Sequence, residues 1–216
     1  MPRLLPAGLL RLFGTALVLG VLSVAPLQGQ QFEGSAFVGT FLPTQNLTEE
    51  FSLNVDGAVR TALQSHENGL TFGANAGVRW DRLAVEGQFA YISTNILTEI
   101  SGIEDITTDQ NIMMISGNVL YDILPGDFFD LFVAGGAGIK QYSADDPAGG
   151  FSSGSDFMFN FGAGGRLAVT ETLSLRLDVR DYVSSFDAFE ADANSEQGAR
   201  TQHDVLITIG LSYTSR

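Results

Sequence analysis

Two histidines and a few adjacent carboxylates are the side chains in this sequence that could move protons near neutral pH. His203 is followed by Asp204, and Asp145 by Asp146. A histidine serves as a general base when a carboxylate holds its far ring nitrogen. Adjacent residues on a strand point to opposite faces, so Asp204 is badly placed to orient His203. There is no cysteine, which excludes a thiol nucleophile, a thiolate metal site and an acylated lipoprotein cysteine. The runs Gly136-Ala137-Gly138 and Gly162-Ala163-Gly164 lack both the G-x-G-x-x-G spacing and a following helix, so they cradle no dinucleotide phosphate. The acidic stretch from Asp187 to Glu196 lacks the ligand order of a calcium loop. Catalytic, cofactor-binding and metal-ligating residues are therefore expected to be absent.

What remains is electrostatic. Arg79, Glu86, Lys140, Arg166, Arg176, Asp178 and Arg180 all fall on the polar side of alternating segments, together with Asn75, Gln88, Asn118 and Asn160. Inside a narrow barrel such charges must pair to be tolerated. Glu86 and Asp178 are the acids expected among Arg79, Arg166, Arg176 and Arg180. A network of this kind either plugs a lumen or lines a gated polar pore, and the plug is preferred. On the same face Gly73, Gly77, Gly136, Gly138, Gly162 and Gly164 make room for the long side chains.

The elements that position these residues are strands. In Leu70-Thr71-Phe72-Gly73-Ala74-Asn75-Ala76-Gly77-Val78-Arg79-Trp80 apolar residues alternate with polar ones or glycine, a period of two. Eight such segments are predicted, at about 32–42, 69–80, 83–92, 111–121, 130–142, 157–169, 173–183 and 203–213. Each is long for a soluble sheet and close to the roughly 9–11 residues that cross a bilayer as a tilted strand. The connections alternate strictly between short and long, roughly 26, 2, 18, 8, 14, 3 and 19 residues. Outer-membrane barrels show that asymmetry, with short periplasmic turns and long external loops. Pro43, Pro125 and Pro147 all fall between the segments, as a closed ladder requires.

The face assigned to lipid carries Leu70, Phe72, Val78, Trp80, Leu83, Val85, Phe89, Tyr91, Phe157, Phe159, Phe161, Leu173, Leu175, Leu177, Ile207, Ile209 and Leu211, none of them charged. Trp80, Tyr91, Tyr121, Tyr142, Tyr182 and Tyr213 lie near strand ends, where interfacial girdles form. A water-soluble barrel with its apolar face inward is the competing arrangement. Its exterior would then be unusually rich in glycine.

Composition agrees with export to a membrane. The 216 residues carry 11 Lys+Arg against 25 Asp+Glu, a formal charge of −14, which argues against nucleic acid as a partner. Residues 1–30 read as a secretory signal, with Arg3 and Arg11 before an uncharged apolar stretch from Leu12 to Ala25 and cleavage somewhere at 25–31. An uncleaved anchor competes with this, but the stretch is short for a spanning helix. Residues 31–216 form the expected barrel domain. Fifteen of the acids fall in the four long connections: Glu49, Glu50, Asp56, Glu67, Glu99, Glu104, Asp105, Asp109, Asp145, Asp146, Asp156, Asp187, Glu190, Asp192 and Glu196. They either solvate the outer face or bind cations that bridge lipopolysaccharide.

The stretch Leu131-Phe132-Val133-Ala134-Gly135-Gly136-Ala137-Gly138 and the later Leu175-Arg176-Leu177-Asp178-Val179-Arg180-Asp181-Tyr182 resemble strands of the outer-membrane β-barrel domain family, of the eight-stranded type represented by the OmpA transmembrane domain. The resemblance implies an all-β, eight-stranded antiparallel up-and-down transmembrane barrel in the bacterial outer membrane. It also implies outer-membrane lipid and lipopolysaccharide as surroundings, the barrel-insertion machinery as a partner during biogenesis, and a monomer. The closing strand departs from the usual insertion signal, since Thr214-Ser215-Arg216 follow Tyr213. No room is expected beyond it for a peptidoglycan-binding domain. Two enzyme families of the outer membrane are poorly matched. Lipid A deacylases pair a His with a Ser two residues on, where this chain has Val205; omptin proteases space their acid and His-Asp pairs differently. The expected role is structural or interactive at the cell surface, without enzyme activity. A narrow channel of the OmpW type for small, apolar molecules is the first alternative, and an adhesin or receptor acting through the acidic loops is the second.

Overall fold

Alternation of large apolar and polar or glycine residues produces strands and no helix in the computed structural model, which describes residues 30–46, 51–55, 58–102, 105–144, 154–186 and 200–215. The strands are β1 (Gln30–Pro43), β2 (Phe51–Val55), β3 (Ala58–His66), β4 (Gly69–Trp80), β5 (Leu83–Ile100), β6 (Ile106–Leu124), β7 (Phe129–Ala144), β8 (Gly154–Ala168), β9 (Leu173–Phe186) and β10 (Arg200–Thr214). Eight of them, β1 and β4 to β10, pair in sequence and antiparallel, and the ladder from Glu33↔Thr214 to Pro43↔Asp204 joins the first to the last. The barrel is thereby closed. Closure leaves every wall strand with partners on both sides, the condition for crossing hydrocarbon.

Period two then sorts the side chains. Phe72, Val85, Phe89, Val119, Val133, Phe159, Leu177, Val179, Ile209 and Leu211 point outward, each at least two-fifths exposed. At the short-turn end Tyr121, Phe128, Phe129 and Tyr213 are exposed on the same surface. Tyr142 and Tyr182 do not join that girdle. They occupy even positions on β7 and β9, whose even residues face the lumen, and both are buried there. The turn between β4 and β5 is two residues, with Asp81 at φ 50°, a left-handed conformation that aspartate tolerates.

The first long connection also departs from expectation. It contains β2 and β3, a hairpin paired from Phe51↔Ala62 to Val55↔Ala58, and β3 continues the sheet along the external end of β5. β5 and β6 pair as far as Thr98↔Ile106, so the connection expected at 93–110 shrinks to residues 101–105. Glu99, Asp109 and Asp156 accordingly lie on strands. Above a bilayer the outward side chains no longer have to be apolar. The alternation that marks a strand in sequence fades there, while the backbone ladder continues. Residues 1–29, and with them all but the last residue of the signal and most of the cleavage region at 25–31, lie outside the described residues, as do Glu49, Glu50, Asp56, Glu104, Asp145, Asp146, Pro147, Asp187, Glu190, Asp192 and Glu196.

Candidate functional site

The lumen holds most of the buried chemistry, in layers that follow from strand position. At the short-turn end, Glu33 from β1, Arg79 from β4, Asp122 from β6, Asp130 from β7 and Arg166 from β8 converge. Arg79 Nε donates to Glu33 Oε1 at 2.8 Å and its Nη1 pairs with Asp122. Arg166 lies 3.4 Å from both Asp122 and Asp130 and 3.7 Å from Glu33. Two arginines thus face three carboxylates. Phe132 caps this layer, its ring 4.6 Å from the Arg166 guanidinium carbon and 5.0 Å from that of Arg176.

Next along the axis is a tighter knot. Arg176 reaches across from β9 to β5, where Nη1 and Nη2 donate to the two oxygens of Glu86 at 2.8 and 3.1 Å. Its Nε also donates to Asp178 at 2.7 Å. Arg180 Nη2 donates to Glu86 at 2.7 Å and to Asp178 at 2.8 Å. Two guanidinium groups and two carboxylates therefore balance one another, each side chain at most 8% exposed. Bidentate guanidinium pairs are among the stronger hydrogen-bonded arrangements available.

This knot needs glycine beside it. A Cβ added to Gly162 would collide with the Val179 carbonyl and lie 2.9 Å from Cγ of Arg180. Above it comes an uncharged belt. Asn160 donates to Asn118 at 2.8 Å, Asn118 to Ser116 at 3.2 Å, and Tyr182 to Gln88 at 2.5 Å.

The external half of the lumen holds an apolar cluster, which alternation of polar against apolar did not foretell. Phe37, Phe41, Ala90, Ile92, Ile112, Met114, Met158 and Leu206 pack there with Tyr142 and Tyr182. On these strand ends apolar and polar residues occur on both faces, as with Ile92 and Thr94 inward and Tyr91 and Ser93 outward, so the inward set carries no contrast by which sequence could assign it. Lys140 lies at this level and not in the arginine network. It is fully buried, donates to Asp204 on β10 at 2.5 Å, and stands 4.9 Å from the Tyr142 ring and 5.9 Å from that of Phe41. Glu33, Asp122, Asp130 and Asp204 are thus lumen acids that sequence reasoning missed. All four lie near strand ends, where the phase was least certain.

The two histidines part company. His203 faces outward, and its Nδ1 lies 2.8 Å from Asp181 Oδ2, a diagonal neighbour on β9. Asp204 turns the other way, into the lumen. His66, on β3 outside the eight wall strands, is buried over the barrel mouth with its ring edge-on to Phe41 at 5.9 Å. Burial, reinforced by the charge of Lys140, pushes its pKa down to about 4. Among the described residues no three His, Asp or Glu side chains gather as a metal site would require.

The family model for the outer membrane protein beta-barrel domain matches residues 14–214. The chain belongs to that family. Among solved structures this outer membrane barrel is similar to the outer membrane protein OprG of Pseudomonas aeruginosa, at 18% identity and a TM-score of 0.58 over 87% of this chain and 96% of that one. It is also similar to Neisserial surface protein A, NspA, at 12% identity and a TM-score of 0.53 over 86% and 97% of the two chains. At such identities the likeness shows the fold alone. No curated protein sequence matches the barrel. Membership of that family places it in the bacterial outer membrane.

Proposed function

We propose that this barrel is a closed-lumen outer-membrane protein whose role, structural or interactive, is exercised at its external face. One observation carries the proposal: the knot of Arg176, Arg180, Glu86 and Asp178 crosses the lumen from β9 to β5 with almost no exposure. An ion passing it would have to part charges that are buried together, and leaving either sign unpaired costs several kcal/mol. The layer of Arg79, Arg166, Glu33 and Asp122 forms a second barrier towards the periplasm. Residues 1–30 export the chain and are removed at 25–31, the barrel works as a monomer among lipid and lipopolysaccharide, and the insertion machinery reads its closing strand. It performs no enzymatic reaction; Asp204 is engaged by Lys140 and is not available to His203. Proteoliposomes containing the refolded barrel test the proposal by osmotic swelling. Swelling rates in small sugars and amino acids equal to those of empty liposomes are expected, and faster swelling in any of them would refute a closed lumen.

A second function is favoured by the apolar cluster in the external half. A small apolar molecule would partition into the apolar cluster above the knot, at the level where Tyr91, Met113, Gln141, Tyr142 and Ser155 border a depression of about 590 Å³ on the continuous wall. Cells displaying the barrel would then accumulate an apolar fluorescent dye faster than cells without it. Met158→Asp, which puts a charge in that half, would abolish the difference.

A further inference from the structure

At the external ends of β1, β3 and β10 lies a groove of about 770 Å³, lined beside Pro43 by Thr44, Gln45, Asn46, Ser65, His66 and Thr201. Two fastenings hold it in shape. The amide and hydroxyl of Thr44 both donate to the His203 carbonyl, at 3.1 and 2.7 Å, tying β1 to β10. A bridge between Asn46 and Ser65 ties the continuation of β1 to β3. Among the described residues the lining contains amides, hydroxyls and an imidazole but no carboxylate, lysine or arginine, although the external connections on either side are acidic.

His66 distinguishes this groove from an ordinary polar rim. It is buried, the side chain of Gln110 lies within reach of one ring nitrogen, and the other has no hydrogen-bond partner among the described residues. Unpaired buried polar groups cost stability and so call for a partner. Behind it Lys140 is neutralised by Asp204, and Phe41 supplies only a ring edge. The low pKa keeps the imidazole uncharged at neutral pH. An uncharged imidazole offers one donor and one acceptor, and amides and hydroxyls likewise offer both. An anion is held best by positively charged donors and a cation by carboxylates, and the described lining offers neither. A vicinal diol needs neither, because each hydroxyl donates and accepts.

We propose that this groove binds an uncharged polyhydroxylated ligand, a neutral sugar unit presented at the external face of the barrel. This deepens the reading of a role at the external face and is independent of whether the lumen conducts. Its source is either a soluble glycan or the headgroup of a membrane glycolipid, with the same chemistry.

The test uses the refolded chain with 15N-labelled histidine in nanodiscs of phosphatidylcholine. Neutral trisaccharides of glucose, galactose and mannose are titrated in, with glucose 6-phosphate as the charged control. The His66 ring resonances are expected to shift saturably, with a dissociation constant on the order of 1 mM, for at least one neutral sugar. The His203 resonances, outside the groove, should stay in place, and glucose 6-phosphate should leave His66 unmoved. Combining Asn46→Ala with Ser65→Ala, both on the rim, should weaken binding about tenfold while heat-modifiable gel migration still shows a folded barrel. A second set of nanodiscs containing a neutral glycolipid separates the sources. A His66 shift there without soluble sugar assigns the membrane headgroup, and a shift with soluble sugar alone assigns a free glycan. No His66 shift with any neutral sugar or with the glycolipid, an equal shift with the sugar phosphate, or undiminished binding in the double variant would overturn the proposal. Failure here leaves the swelling result untouched, so the two readings fail separately.

Discussion

Glu86 is the acceptor on which two arginines converge, and its removal should show what the knot is worth. Glu86→Gln leaves Arg176 and Arg180 with Asp178 as their remaining carboxylate in the knot. A loss of about 3 to 5 kcal/mol in folding stability is expected, read from urea unfolding in lipid vesicles. His66 gives a pH dependence of definite sign. Its pKa is about 4 with β3 in place, against an ordinary 6.5 when the ring is released to water. Above 6.5 both states are neutral and pH has no effect. As pH falls below 6.5 the released state takes up the proton first, so the hold on β3 weakens by roughly 2 kcal/mol by pH 5. Hydrogen exchange of the β3 amides should therefore accelerate on acidification, and His66→Phe should remove the dependence. Alternation was enough to put Arg79, Glu86, Arg166, Arg176, Asp178 and Arg180 on one face. It could not name partners, because Glu86 and Arg176 are 90 residues apart and meet only through the register of the closed sheet. Alternation likewise set Asp204 on the face opposite His203, but it could not name the diagonal carboxylate of Asp181, which is the one in reach.

At the scale of the strand, glycine positions separate inside from outside. Gly162 faces the lumen against Arg180, while a Cβ on Gly117 would meet nothing within 4 Å. Gly162→Ala should thus destabilise the barrel by about 1–3 kcal/mol. Gly117→Ala should be neutral or slightly stabilising, since alanine loses less backbone entropy on folding. Urea midpoints of the two variants, compared with the parent, check both signs. The eight wall strands were legible because hydrocarbon outside and polar groups inside impose opposite demands on successive residues. Where those demands lapse, so did the legibility. β5 and β6 outrun their expected ends because neither face is constrained by lipid beyond Ile92 and Ile112. The β2–β3 hairpin was missed because a five-residue strand such as Phe51–Val55 is too short for periodicity to stand out within a long connection.

For the whole molecule, closure decides both fold and function. The ladder between β1 and β10 removes the free edges of the wall, and the interior it creates is too narrow to stay open once arginine side chains fill it. The same closure sorts charge by place. Inside, cations and carboxylates pair within each layer, two arginines against three carboxylates at the short-turn end and two against two in the knot, whereas most of the acidic excess belongs to the external connections. Architecture and membrane could be reasoned from sequence because they rest on a repeated physical demand. The apolar cluster of the external half and the neutral groove could not, since each is assembled from strand ends distant in sequence. The central claim is that the lumen does not conduct, and single-channel recording in planar bilayers tests it most directly, using protein shown by heat-modifiable migration to be folded. A steady baseline with no discrete openings under applied voltage is predicted. Discrete, reproducible openings from the folded barrel would contradict a lumen closed by Arg176, Arg180, Glu86 and Asp178.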